Sequence, residues 1–274
     1  MTTVARKPPR ARRTAGVSPA VWRGAIGVLA LIVVLELVSR SGLIRTSFLP
    51  PFDEVLIRMV TLWGDPTFLR DVGATVSAYL LSMAIAIAVA VPLGVVLGLA
   101  RPIYRATRAV IELVRPIPPV ALIPLVLLVA GSGLQLKLVV AVFAAVWPII
   151  FNTLYGVHDV DPYAKDMARS FHLGRFGIVR RIVLPSAAPF IMTGVRVASS
   201  IALIVVVTVE LVAGGAEGVG AFIARERANG YEGAYTNVLA ATLAAGFIGL
   251  VINLLIGGVE RKFFGWDATT KESA

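Results

Sequence analysis

The sequence predicts an all-α membrane protein whose chain crosses the bilayer six times, and three observations carry that expectation. Of its 274 residues 57% are apolar and 15% charged, whereas soluble domains run nearer a quarter charged. The apolar residues gather in runs long enough to cross the hydrocarbon core as helices, which takes roughly 20 residues each. The basic residues flank those runs, so the net charge of +10 reads as membrane topology rather than nucleic-acid affinity. The chain has no cysteine, which excludes disulfides, thiolate catalysis and cysteine-ligated metals.

Taken in order, residues 1–20 are rich in Arg, Pro, Thr and Ala without an apolar period, the composition of a disordered cytoplasmic tail. Arg12-Arg13 would also suit an export signal, but no small-residue cleavage site follows Leu37. The transmembrane domain is expected over 21–265, with a second cytoplasmic tail at 266–274. Spans are expected at 21–38, 75–100, 119–130, 138–155, 187–213 and 238–259, and a short amphipathic stretch at 52–63. The third span is short and is entered through Pro116, Pro118 and Pro119, with Pro124 inside it. Such a broken entry is tolerable only where neighbouring protein satisfies the freed carbonyls. Gly131-Ser132-Gly133 reads as a tight turn after it. The Gly94 to Gly98 spacing on the second span reads as a close-packing face within the chain rather than a dimer seam.

Orientation follows from the basic residues. With the N-terminus inside, the inner segments hold 18 Lys and Arg and the outer ones 7, so both termini are expected in the cytoplasm.

Catalytic motifs are missing. There is no Gly-Lys dipeptide and hence no phosphate-cradling Walker A loop, and there is no H-E-x-x-H. Ser132 sits at the outer mouth with no histidine on that side to act as base, since the only histidines are His158 and His172. The chain is therefore not expected to be an enzyme, and no cofactor or metal is expected.

The cytoplasmic segment 158–185 carries the most information. Asp161-Pro162 is a helix start, Asp as N-cap and Pro as first helical residue. Ala164, Met167, Ala168 and Phe171 then fall on one face at i, i+3, i+4, i+7. Basic residues Arg175, Arg180 and Arg181 follow before Leu184-Pro185 opens the fifth span.

This stretch resembles the coupling loop of ATP-binding-cassette importer permeases, whose pattern is E-A-A-x-x-x-G, nine residues, then I-x-L-P. Alignment on Ile182, Leu184 and Pro185 sets Asp166, Met167 and Ala168 on the E-A-A positions and His172 on the glycine position. His172 is the marked departure, and Gly174 is the expected substitute for the turn. Arg115-Pro116-Ile117-Pro118-Pro119-Val120-Ala121-Leu122-Ile123-Pro124-Leu125 is similar to the third span of the nitrate, sulfonate and taurine branch. Leu49-Pro50-Pro51 with Glu54-Val55-Leu56, and residues 71–99, extend the likeness, which covers roughly 45–265.

The resemblance implies a type I importer permease fold in the bacterial inner membrane. It also implies two copies around one pathway, two separate ATPase subunits that bind the ATP, and an extracytoplasmic binding protein. In the family the coupling helix docks in a groove of the ATPase, which assigns Asp166, Met167, Ala168, Phe171, His172, Gly174, Leu184 and Pro185 to coupling. The branch implies a small sulfonate, nitrate or taurine-like solute; vitamin precursors such as pyrimidines or riboflavin are the alternative.

Ionisable and hydroxyl groups inside spans are pathway candidates: Arg196, Ser199, Ser200 and Glu210, all on the fifth span. Arg196 either snorkels to the cytoplasmic interface or lines the path, and Glu210 is either exposed at the outer rim or held in an ion pair. An ion-driven secondary transporter would need acidic relays near mid-membrane, and the spans show none away from their ends. An intramembrane protease would need the missing base.

Overall fold

A computed structural model describes residues 19–42, 48–214, 217–231 and 233–264. Most of the expected tail at 1–20 and all of that at 266–274 lie outside the described residues, but Pro19 and Ala20 are already helical. Every regular element among the described residues is helical.

The chain divides into two compact units, residues 1–54 and 55–274. The first contains α1 (Pro19–Arg40) and the start of α2 (Phe52–Leu62). Within it, Glu36 accepts from Arg40 and from the Phe52 backbone N–H (2.8 Å), and the Ser39 hydroxyl donates to the Leu49 carbonyl (2.8 Å). These bonds tie the chain around Pro50-Pro51 back to the end of α1.

The second unit holds α3 (Pro66–Leu99), α4 (Arg101–Val114), a 3-10 turn (Pro119–Leu122), α5 (Ile123–Ala130) and α6 (Leu134–His158). After these come α7 (Pro162–Ser170), α8 (Arg175–Ile178), a π turn (Val179–Val183) and α9 (Leu184–Ala213). The chain closes with α10 (Val219–Asn229) and α11 (Ala234–Phe264). Among the described residues five helices are long and apolar enough to span, and a sixth is counted only where the bent pair Arg101–Val114 and Pro119–Ala130 is taken together.

The pair keeps the expected bounds of the third span, 119–130, and its broken entry. Its two limbs meet at 81°, because Pro116, Pro118 and Pro119 supply no backbone N–H to continue the helix. Ile111 to Val114 belong to the other limb, so residues 119–130 cover only about 18 Å at 1.5 Å per residue. Elsewhere each helix starts before its expected span, and α1, α6 and α11 also run past its end: α3 starts at Pro66, nine residues before 75, capped by Asp65, which accepts from the Thr67 N–H at 2.8 Å. Hydropathy marks only the hydrocarbon depth, whereas the helical hydrogen-bond ladder runs on into the interface.

The core is α3, α6 and α9 packed through small residues. A Cβ on Gly94 would sit 2.6 Å from Thr153 Cβ, and one on Gly98 would sit 2.7 Å from Val157. The small-residue face of α3 therefore seats α6 within the chain, as its spacing predicts. Gly194 of α9 meets Asn152 and the Pro148 carbonyl in the same way. Buried alanines 78, 86, 90, 141, 144, 145, 198 and 202 fill the rest, so contact between backbones replaces the hydrophobic effect that lipid removes. A second cluster of Leu62, Phe68, Phe222, Ala241 and Ala244 holds α10 and α11 to this core.

Candidate functional site

The coupling segment folds as its sequence dictates. Asp161 accepts from the Tyr163 N–H at 2.8 Å, and Pro162 is the first residue of α7. At the other end the His172 N–H donates to Arg169 O (2.9 Å) and the Leu173 N–H to Ala168 O (3.1 Å). This is a Schellman closure, which places the residue after the helix cap in the left-handed region. That residue is His172, at φ 58°, the one non-glycine with positive φ among the described residues. The glycine of the family pattern thus has a conformational reason, and here a histidine bears the strain. Gly174 does not supply the turn: at φ −65° and ψ 164° it is extended and caps α8.

The apolar stripe of α7 is divided between buried and exposed side chains. Ala168 alone is buried and Ala164 is half-buried, while Met167 is 64% exposed and Phe171 75%. Tyr163 (82%) and Phe176 (78%) extend the patch. A nine-residue helix has room to press one small side chain inward, and the bulky ones turn out. Asp166 is exposed and bonded to Arg169 at 2.8 Å; such a surface pair contributes little to stability. Tyr163, Met167 and Phe171 follow one another at four-residue spacing along one side of the helix.

The turn at 171–174 joins α7 to the helix of the fifth span. Residues 175–213 form one helical run through the π turn, a wider turn that commonly accompanies function. Val183 is buried with Val95, Val157, Val160 and Ala187, and Leu184 packs on them. Pro185 lies exposed in the first turn of α9.

Along α9, Arg196 donates to Asn253 Oδ1 (3.2 Å) and Glu260 Oε2 (3.1 Å) of α11. Ser199 is buried against the Tyr79 hydroxyl at 2.6 Å, a packing bond between α3 and α9. Ser200 is exposed. It helps line a groove of about 580 Å³ between α9 and α11, with Ile204, Thr208, Gly246, Gly249 and Asn253 among the other lining residues.

At the opposite end of α9, Glu210 is not at an open rim. It is fully buried and takes Lys137 Nζ at 2.8 Å, the Thr75 hydroxyl at 2.8 Å and the Gly220 N–H at 3.1 Å. Lys137, which sequence places in an outer loop, is 6% exposed and also donates to the Glu217 carbonyl at 2.8 Å. Asp71 accepts from the Gly218 N–H (2.7 Å) and pairs with Arg225, and the Thr75 oxygen accepts from the Val219 N–H (2.9 Å). Asp71, Thr75 and Glu210 therefore satisfy the first three free N–H groups at the start of α10, where the helix dipole favours anions. Gly218 (φ 133°) is obligatory, since a Cβ there would lie 2.2 Å from the Glu210 carboxyl carbon. Sequence reading missed Asp71, Thr75, Lys137 and this glycine; the available signal was Gly218-Val219-Gly220 opening a helix.

Outside the spans, Tyr231 bonds the Glu226 carboxylate, and that bond, with a smaller effect of burial, holds its hydroxyl above its ordinary pKa. Among the described residues no group of His, Asp and Glu is arranged to hold a metal ion.

Comparison with known proteins agrees with this architecture. Residues 90–264 match the family described as "Binding-protein-dependent transport system inner membrane component". The taurine transport system permease protein TauC of Escherichia coli is 29% identical over 88% of each chain. The nitrate import permease protein NrtB of Leptolyngbya laminosa is 27% identical over 72% of this chain and 70% of its own. A putative ABC transporter permease of Methanocaldococcus jannaschii, MJ0413, is 33% identical over 72% of this chain and 71% of its own. Among solved structures, a chain of the MetNI methionine ABC transporter superposes with a TM-score of 0.64 at 20% identity, covering 74% of this chain and 98% of that one. A chain of a bacterial alginate ABC transporter gives 0.63 at 17%, covering 90% and 93%; at such identities these two bear on fold alone. The chain belongs to the binding-protein-dependent inner membrane components, the permeases of ATP-binding-cassette importers, in the branch that contains the taurine and nitrate permeases.

Proposed function

We propose that α7 is the element through which a partner ATPase drives this permease, and that the polar face of α9 lines the path of a small solute bearing an oxyanion. The observation that carries the first part is the exposed stripe of Tyr163, Met167 and Phe171 on α7, which one turn at 171–174 links to the helical run 175–213. ATP bound by two partner subunits closes them and draws the two α7 knobs together. The unbroken run from Arg175 transmits that displacement to α9 and shifts a two-state equilibrium between inward and outward openings. Two copies of the chain form the pathway, both termini lie on the ATPase side, and an extracytoplasmic binding protein delivers the solute. The chain itself performs no catalysis and holds no cofactor.

The substrate class is supported by the relatives, which are named for taurine, nitrate and bicarbonate, each a small solute with an oxyanion group. Arg196 and Ser200, with Thr193 and Thr208, occupy one face of α9 at 100° per residue. An exposed cation at that depth is stable only beside water or a counter-charge. The Lys137–Glu210 cluster holds α10 across the outer end as a gating element.

Co-purification of the tagged chain from native membranes tests coupling. Changing Met167 and Phe171 together to Glu is expected to release the ATPase while leaving the chain folded. The buried Ala168 is a poor probe, since enlarging it disturbs α7 itself. Retention of the ATPase by the double variant would overturn the coupling assignment. Arg196→Leu is expected to abolish uptake of taurine, nitrate or bicarbonate with the complex intact; unchanged uptake would remove Arg196 from the path.

A further inference from the structure

We infer that α4 is a surface helix that binds anionic phospholipid headgroups at the end of the bundle that carries α7. Its sequence sorts into three faces. At 100° per residue, Arg101, Arg105 and Arg108 fall within about 60° of arc, with Glu112 among them. Tyr104, Thr107, Ile111 and Val114 fall within about 80° on a second face, and these are the partly buried residues, Tyr104 and Ile111 packing on the α3–α6–α9 core. The third face, Ile103, Val110 and Leu113, is 46%, 61% and 74% exposed. No residue of α4 is fully buried.

The position of the helix fits its faces. Arg101 follows α3 by one residue, and Gly98 at that end of α3 packs on Val157 near the end of α6, beside the Val160 and Val183 cluster under α7 and α8. On its far side α4 turns 81° from the limb that follows. That limb, α5, is joined to α6 by a three-residue turn, and its Ile123 is buried among α6 side chains. A helix lying across the spans at their ends occupies the interface plane. There an exposed apolar face contacts acyl chains and an arginine strip contacts phosphate. The arginines outnumber the one acidic residue three to one, so the strip complements an anionic surface and not a neutral one. Arg115, just past the helix, stacks 4.4 Å over the Phe151 ring and anchors the corner to α6. The inference rests on the spanning architecture and stands apart from the coupling and pathway assignments.

The natural chain has no cysteine, so single labels report cleanly. The complex with its ATPase is reconstituted in phosphatidylcholine vesicles with and without one-fifth phosphatidylglycerol. A nitroxide at Leu113→Cys is expected to collide with oxygen rather than with a water-soluble nickel chelate, and one at Arg105→Cys to show the reverse bias. Spin-labelled phosphatidylglycerol is expected to outcompete phosphatidylcholine at the protein surface. That preference should fall about a hundredfold when Arg101, Arg105 and Arg108 all become Gln, at about fivefold per basic residue, and return when all three become Lys. Lysine rescue separates charge from any packing role of arginine. Equal lipid association in wild type and the Gln variant would overturn the inference, as would ATPase subunits shielding both labels from lipid and water.

Discussion

Replacing Lys137 by Met leaves the Glu210 carboxylate in place with its lysine gone. Glu210 is fully buried, and among the described residues Lys137 contributes the one full positive charge bonded to it, at 2.8 Å. The remaining partners, Thr75 Oγ1 and the Gly220 N–H, are neutral donors. Removing one member of a buried pair costs about 3–5 kcal/mol, because the other is left as an uncompensated charge. Replacing both, as Lys137→Met with Glu210→Gln, removes the stranded charge and keeps a side chain able to accept from Gly220, so its cost is expected below about 2 kcal/mol, near a lost pair of ordinary hydrogen bonds. The double variant should therefore be more stable than Lys137→Met alone, a sign that additive lesions cannot produce. Thermal unfolding in detergent, followed by size-exclusion recovery, reads Lys137→Met, Glu210→Gln and the double variant. A double variant as unstable as the sum of the singles would refute the buried-pair account. Its uptake then reports on gating, since α10 keeps Asp71 and Thr75 but loses the ionic clamp.

Three further outcomes are expected. His172→Gly relieves a left-handed residue and is expected to raise stability by about 1 kcal/mol, whereas His172→Val lowers it; identical melting of the two would deny strain at φ 58°. Gly94→Val drives a side chain into Thr153, 2.6 Å from the new Cβ, and should prevent recovery of folded chain, while Gly73→Ala, which meets nothing within 4 Å, should behave as wild type. Tyr231 is expected to titrate above its ordinary value of about 10, because its proton bonds Glu226. A raised folded pKa means that this contribution is complete below about pH 10 and is lost as pH rises through the raised value. Ultraviolet titration reads the shift, and Glu226→Gln should bring it back.

Much of this molecule is written locally. Six apolar runs, the Asp161-Pro162 helix start, the Gly94 to Gly98 packing face and the Gly131-Ser132-Gly133 turn, with φ 71° and 100° at its glycines, all depend on neighbours within a few residues. Periodicity and turn chemistry are sufficient for them. Family membership was legible for the same reason, through short motifs at fixed spacing. The tertiary structure decided what depends on distant partners. Lys137 looked like a loop charge because nothing within ten residues is acidic; it is buried because Glu210, 73 residues away, meets it. Asp71 and Thr75 look like an ordinary helix start until Gly218 and Val219 bring unpaired N–H groups to them. Periodicity locates the apolar stripe of α7 without saying what lies beneath it, and of that stripe only Ala168 is buried within the chain. His172 is the intermediate case. Alignment marked it as standing where glycine is usual, and the backbone supplies the cause, a left-handed residue that closes α7 through bonds from His172 and Leu173 back to Arg169 and Ala168.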